Sequence, residues 1–531
     1  MRRPKLTRRV CLRWGAGIAA VAVVRAMAGW RGFPAAAAAD HASAREVLLG
    51  RLDTLNLVPT EEGAPFVFSP DGAHVAWRER RGDDVVMVHD GKAGARFQAV
   101  QSPTWSADGR RFAYGAFKKA RQHVVIDERL GPAYDLVSEV AFSRDGRRYA
   151  YAARSGEVFR VVADGKEGPA FESVTPPVFS ADGRRVAYRG ERSSSAMVVL
   201  DGQEGRHWDE VSRVEFSPEG SRLAYGVRQG DQVMAVVDEE VGPPYEKIGP
   251  ILFSADGKRV LYTAFKEHAW RVVVNGVEET DLTCEAILDG SPRFSPDGRH
   301  YAYAARQAAD WYVVLDGEEI GPYLEIMHPI FSPTGRLGFF GRHGDGWFAV
   351  IGDEEEGPHP GVGPDPIQFS PDGSRHAYIV LADGKQRLVI DGQLSPPCDR
   401  IGFTVPIFSP DSRRVVYAAA EGKQFCVVVD GQRGEPVNGV GEGTPLFSPD
   451  GRHLAVLRGV DPGWMLEVDG VAGPHFDGIL RRSPIRFVGE EVRYFALRFE
   501  NGRALIYRVH QRIERGAAPE SGRGKRAEKE R

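Results

Sequence analysis

Trp270, Trp311, Trp347 and Trp464 each stand five residues ahead of a recurring two-residue turn, and Phe159 and Phe425 hold the same phase. The polar segments beside that phase carry basic residues, among them Lys118, Lys119, Lys266, Arg306 and Arg342. Flat aromatic surface next to guanidinium or ammonium groups is the chemistry of recognition, because such side chains carry much of the energy of binding interfaces. The same aromatics would also serve as packing between neighbouring elements, so a structural reading stands beside the binding one.

Covalent chemistry has less support. The chain contains no Gly-x-Ser-x-Gly nucleophile elbow, no His-Glu-x-x-His pair, no Walker loop and no Rossmann glycine fingerprint. Asp-Gly pairs are plentiful without the Asp-x-Asp-x-Asp-Gly spacing of a calcium loop, and the acidic run Asp353-Glu354-Glu355-Glu356 falls in a hairpin and outer strand. His74, His300, His376 and His453 share one phase, where other copies carry Arg or Lys, and read as a solvated strand edge. His268, His328, His343, His359 and His475 fall in loops or outer strands that would converge on one face of a ring. No catalytic residue, no metal ligand set and no cofactor is expected from these patterns.

These residues take their phase from a phrase that returns along the chain, as in Phe68-Ser69-Pro70-Asp71-Gly72 and Phe179-Ser180-Ala181-Asp182-Gly183. Copies open at Phe68, Trp105, Phe142, Phe179, Phe216, Phe253, Phe294, Phe331, Phe369, Phe408, Phe447 and, worn, at Phe487. The first five steps are 37 residues, the sixth is 41, and the rest run from 37 to 40. A fixed period of this size marks a repeat architecture. Within one copy, residues 178–180 read as a short strand and Asp182-Gly183 as a tight turn. Residues 185–189 alternate as a half-buried strand, 197–200 form an apolar third strand, and Asp201-Gly202 is a hairpin signal. Residues 206–211 are expected to return as the outer strand. Four short antiparallel strands per repeat make one blade of a β-propeller, so the fold class is all-β with about twelve blades.

The Phe-Ser-Pro-Asp-Gly phrase followed by Arg-x-Ala-Tyr resembles the WD-repeat-like propeller repeats of the TolB class, found in many bacterial envelope proteins. The resemblance covers roughly residues 60–510 and lacks the Trp-Asp pair of eukaryotic WD repeats. It implies a propeller blade and is unspecific for activity. Some TolB-like propellers are polysaccharide lyases with a His-bound metal, which sets a carbohydrate-active or metal-assisted enzyme as the alternative function. Two six-bladed rings in tandem are expected, at 40–284 and 285–515, with the 41-residue step as their junction. One large closed ring is the rival arrangement. Residues 55–65 read as a fourth strand that completes the three strands following Phe487, closing a ring and hiding its edges.

Residues 1–39 read as an export signal: a basic leader, a short apolar run and a small-residue cleavage site, with Arg8-Arg9 in a twin-arginine-like context. Residues 516–531 are expected to be disordered. The balance is that of an ordinary soluble chain, 42% hydrophobic and 27% charged with net charge −4, which offers nucleic acid no basic field. No apolar run after the signal approaches membrane length. Three cysteines follow the signal, Cys284, Cys398 and Cys426, too few and too scattered for a disulfide framework. The expected function is that of an exported, non-enzymatic, periplasmic or secreted scaffold that binds a protein or peptide. A small ligand or glycan is the secondary expectation.

Overall fold

In the fourth repeat Ser180 Oγ donates to Asp182 Oδ1 at 2.5 Å, the same carboxylate accepts Arg184 N at 3.0 Å, and Arg185 N donates back to Ser180 Oγ at 3.0 Å. Gly183, with φ +72°, makes the left-handed step that lets this bracket close. The bracket reverses the chain between Val178–Phe179 and Val186–Arg192, after which Ser195–Leu200 pairs back along the whole length of the second strand. Asp201 and Gly202, at φ +53° and +83°, form the two-residue turn that matches strand twist, and Asp201 Oδ1 accepts Val186 N at 2.8 Å. Gln203–Glu204 then returns as the outer strand.

The outer strand therefore begins earlier than residues 206–211. The tight turn sends the chain back at once, Trp208 makes a further bridge to Ala196, and Glu210–Val211 already pairs with Arg228 and Val227 as the inner strand of the next blade. In the first, seventh, eighth and eleventh blades the outer strand is continuous across a bulge, as in Lys92–Phe97 and Glu318–Tyr323.

The computed structural model describes residues 43–59, 65–279, 284–344, 346–402 and 406–513. The export signal expected at 1–39 and the tail expected at 516–531 lie outside the described residues. Twelve sheets of four or five strand segments each follow one another. Blades are numbered here from the one built around Val75–Arg81. The buried side chains fall into twelve clusters, each shared by two successive blades. One cluster joins blade 12 to blade 1 through Phe495, Ile506 and Leu52 against Val75, Trp77 and Val88. The junction expected at 284/285 is a blade interface of the same kind, with Leu261 and Val272 packed on Tyr301 and Tyr303 and Cys284 between them. The twelve blades thus close one circuit. Each fully buried Val or Leu in it is worth about 1.5–3 kcal/mol.

Closure pairs the two ends of the described chain, as anticipated, but with a different strand. Ala44–Leu52 is the outer strand of blade 12, in register with Arg503–Arg512 from Ala44↔Gln511 to Leu52↔Ala504. Leu57–Val58, placed by sequence in that role, pairs instead with Val75–Arg81 as the inner strand of blade 1. The apolar positions of 44–52 suit the outer slot, and Arg498 fixes its start by holding Glu46 with both nitrogens, one at 2.7 Å.

In most blades an arginine after the bracket ties one blade to the next, and His74, His300 and His453 take its place in blades 1, 7 and 11. Arg222 Nε donates to Asp238 at 2.7 Å, its Nη1 reaches Gly257 O and Lys258 O of the following blade at 3.0 and 2.9 Å, and its guanidinium lies 5.5 Å over Phe253. Arg111, Arg148 and Arg259 repeat the reach to backbone carbonyls, and at the seam Arg486 reaches Pro70 O at 3.1 Å.

Three outcomes follow from this architecture. Single-particle images down the axis should show one closed ring of twelve blades, and a pair of six-bladed rings would contradict the circuit. Arg222→Ala removes one ion pair, two carbonyl bonds and a cation–π contact, and should lower stability by about 1–2 kcal/mol in denaturant titration. Ser hydroxyls and backbone N–H groups hold the bracket carboxyls of Asp145, Asp182, Asp256 and Asp411 below the ordinary 3.8. A carboxyl depressed in the folded state lends stability that is whole above the unfolded value and is lost as pH falls through the folded one. Melting temperature should therefore hold down to about pH 4 and drop below it.

Candidate functional site

The brackets and Asp-Gly turns lie at one end of every strand pair, so the hairpins joining second and third strands gather on the opposite face. Most of these hairpins are two-residue turns opened by a positive φ, and in several both residues are positive, as at Lys119 and Ala120 (52° and 59°) and at Glu267 and His268 (53° and 63°). The basic residues expected in loops are mostly strand residues. Lys118 ends Phe112–Lys118, Lys266 ends Val260–Lys266, Arg306 lies in Tyr301–Gln307 and Arg342 in Leu337–His343, leaving only Lys119 in a turn. The rim is thus rigid ladder up to its tip.

An acid at the start of the inner strand pins several of these turns. Asp135 accepts Gly156 N at 2.6 Å, Glu172 accepts Ser193 N at 3.1 Å, Asp209 accepts Gly230 N at 2.6 Å and Glu246 accepts Glu267 N at 3.0 Å. Sequence reasoning passed over these four acids, although they sit 37 residues apart and the recurrence would have singled them out.

Cross-strand register explains the aromatic phase. Arg306 faces Trp311 and Arg342 faces Trp347, with the guanidinium carbons 6.0 and 5.9 Å from the ring centres. Phe265 faces Trp270 at 5.2 Å, and Gly459 faces Trp464. On its other side each Trp meets the outer strand: Cys284 beside Trp270, Tyr323 beside Trp311, His359 beside Trp347 and Phe476 beside Trp464. All four are half-buried, so packing and presentation are combined in one side chain. Arg306 also pairs with Glu285 at 3.7 Å and Arg342 with Glu325 at 3.2 Å. Lys118, Lys119 and Lys266 have no ion pair among the described residues, and the first two are exposed.

Trp270 with Lys266, Trp311 with Arg306, and Trp347 with Arg342 therefore occupy three consecutive blades, 6 to 8. Trp464 sits three blades further on, and Lys118 and Lys119 are on blade 2, across the ring. On the inner side, a cleft of about 640 Å³ opens between blades 5 and 6, lined by Phe216, Ile248, Pro250 and Phe253 with Arg213 and Glu215 at its edge.

The histidines do not converge. His300 and His453 each bond the aspartate of their own turn, Asp316 at 2.5 Å and Asp469 at 2.6 Å, in the place arginine takes in other blades. The phase is thus a paired turn position and not a solvated edge; His376 stands one residue beyond it, where Arg375 bonds Asp391 at 2.8 Å, and is itself buried against Glu356 at 2.9 Å. His359 bonds the Tyr378 hydroxyl at 3.0 Å, and His343 packs on Tyr323 at 4.4 Å. Of the acidic run, Glu355 accepts from Tyr323 at 2.8 Å and Glu356 from Tyr378 at 2.9 Å, which commits those carboxylates to the outer strand. Among the described residues, the one group of three metal-competent side chains with ligand atoms close together is His74, His89 and Asp90. The three cysteines are free thiols.

No protein-family model matches the chain, and no curated protein does. Among solved structures, a eukaryotic initiation factor is 14% identical with a TM-score of 0.33, over 62% of this chain and 95% of the other. TolB from Acinetobacter baumannii is 16% identical with a TM-score of 0.21, over 50% and 81%. The β-propeller domain of the trilobed protease from Pyrococcus furiosus is 16% identical with a TM-score of 0.25, over 49% and 94%.

The pinned hairpins give one check. Asp209→Ala leaves Gly230 N without its acceptor, and the Gly230 amide should exchange hydrogen about fivefold faster, for a loss near 1 kcal/mol, while the global melt moves little.

Proposed function

We propose that this chain is an exported, non-enzymatic propeller scaffold of the bacterial envelope that binds a protein or peptide partner through the rim of blades 6 to 8. The observation that carries the reading is the row of half-buried tryptophans at one phase on three consecutive blades, two of them backed by an arginine. Aromatic and arginine side chains are enriched at interface hot spots, and here they stand on two-residue hairpins that lose little freedom on binding. The apolar cleft between blades 5 and 6 adjoins this arc and would extend the surface inward. Localisation rests on the signal-like residues 1–39 and is part of the proposal.

The test is affinity capture from envelope extract with residues 40–531, followed by identification of the bound protein and measurement of its affinity. Trp311→Ala with Trp347→Ala should weaken a genuine partner at least about tenfold, since one interface hot spot is worth roughly 2 kcal/mol. Lys118→Ala with Lys119→Ala, across the ring, should leave the affinity unchanged. Equal binding by the tryptophan variant, with its melt intact, would place the interface elsewhere. Stoichiometric glycan binding or turnover without any protein partner would overturn the scaffold reading.

A further inference from the structure

The twelve blades act as internal controls for one another, and blade 1 departs from the others at two positions that meet in space. His74 takes the place of the usual arginine, and His89 takes the position just before the Asp90-Gly91 turn. In blades 2 to 11 that second position is always apolar, Leu200 and Leu315 being examples. Blades 7 and 11 share the first change, through His300 and His453, but keep Leu315 and Val468 at the second. Blade 12 carries His510 there, but with Gln511 in place of the aspartate.

The two histidines and the aspartate face one point. His74 Nδ1 lies 2.6 Å from Asp90 Oδ2, His89 Nε2 lies 3.7 Å from the same oxygen, and the three atoms are all within 4.8 Å of one another. Asp90 Oδ1 is taken by Val75 N at 3.1 Å, so the other oxygen is the one turned to the histidines. His89 packs against the contacting pair Trp105 and Phe112, at 5.0 and 5.8 Å, and its buried Nε2 has no hydrogen-bond partner. A buried imidazole nitrogen, turned to a carboxylate beyond hydrogen-bond distance and without a partner, costs stability unless something fills the position.

We propose that His74 Nδ1, His89 Nε2 and Asp90 Oδ2 form a site for a divalent transition-metal ion such as zinc. Two imidazoles and one carboxylate, with a position left for water, are a donor set these ions take, and Trp105 and Phe112 would shield it. Binding requires both imidazoles neutral at the ligating nitrogen, so the proton that His74 shares with Asp90 leaves to solvent. Asp71 favours a cation here, while Arg508 and Lys92 oppose it. Arg508 lies 3.9 Å from Asp90 but is anchored separately on Ala73 O at 2.5 Å, so it does not need the carboxylate to stay in place. The ion would clasp the second and third strands of blade 1 beside the seam where the chain ends meet.

The experiment is calorimetric titration of the chelator-treated mature chain with zinc chloride at pH 7.5, with cobalt(II) absorption to report the ligand set. One equivalent should bind and raise the melting temperature. His89→Leu, which installs the residue of blades 4 and 7, should fold normally and bind at least about tenfold more weakly, because even outer-shell changes at metal sites cost that much. His453→Arg should bind as the unaltered chain does. Binding should fade between pH 7 and 5 as the imidazoles protonate. Absence of stoichiometric zinc, equal affinity in His89→Leu, or affinity unchanged at pH 5 would overturn the site.

Discussion

The guanidinium that follows most Ser-x-Asp-Gly brackets does not serve the blade it belongs to alone. Arg148 pairs with Asp164 of its own third-strand turn at 2.8 Å and lies 5.3 Å over Phe179 of the next blade, whose bracket carbonyls it also meets. Those carbonyls are presented only because the next bracket is closed by its own serine and aspartate. Each blade that carries the arginine thus leans on the bracket of its neighbour, and runs of such contacts, as across blades 2 to 7, couple successive blades. Exposed ion pairs are individually weak. Repetition around a ring makes the hydrogen-bonded form strong, because no blade can tilt without opening two interfaces.

This division of labour assigns the two faces. On the bracket face, serine, aspartate, glycine and arginine are fixed by mutual hydrogen bonds, and little is left to vary. On the hairpin face, a recurring demand is an acid such as Asp135 or Asp209 that pins the turn amide. Side chains two or three residues below each turn are free of that demand, and there the blades differ: Trp270, Trp311 and Trp347 in one arc, lysines in another. Recognition built on such positions inherits the rigidity of the opposite face, which is how a scaffold presents aromatics without the cost of ordering a loop.

Much of the fold was legible because its signals are local and repeated. Phe179-Ser180-Ala181-Asp182-Gly183 contains its own turn, and Asp201-Gly202 contains the next, so blade count and strand order followed from spacing. The outer strand was misplaced because the bridge at Trp208 and the inner strand at Glu210–Val211 lie only a residue apart, and nothing local separates them. The closing strand was assigned to 55–65 instead of Ala44–Leu52 because pairing across more than 450 residues leaves no trace in either partner alone. Arg306 and Arg342, expected in loops, are strand residues opposite Trp311 and Trp347, since strand continuation to the very tip of a two-residue hairpin depends on cross-strand pairing.

The histidines show where internal comparison adds what local reading cannot. His74, His300 and His453 look alike in sequence, and each bonds the aspartate of its turn at 2.5 to 2.6 Å. What separates the first is a second substitution fifteen residues later, at a position the repeat otherwise keeps apolar. A repeat that tolerates histidine at one position in several blades, but at both only in blade 1, has departed from its own rule where the departure leaves a buried nitrogen unpartnered. Packing alone would restore an aliphatic residue at 89, since an apolar side chain would cover Trp105 and Phe112 without a polar atom to satisfy. The structure therefore puts an unpartnered imidazole nitrogen beside the seam where the chain ends meet, where a bound ion would clasp two strands of blade 1.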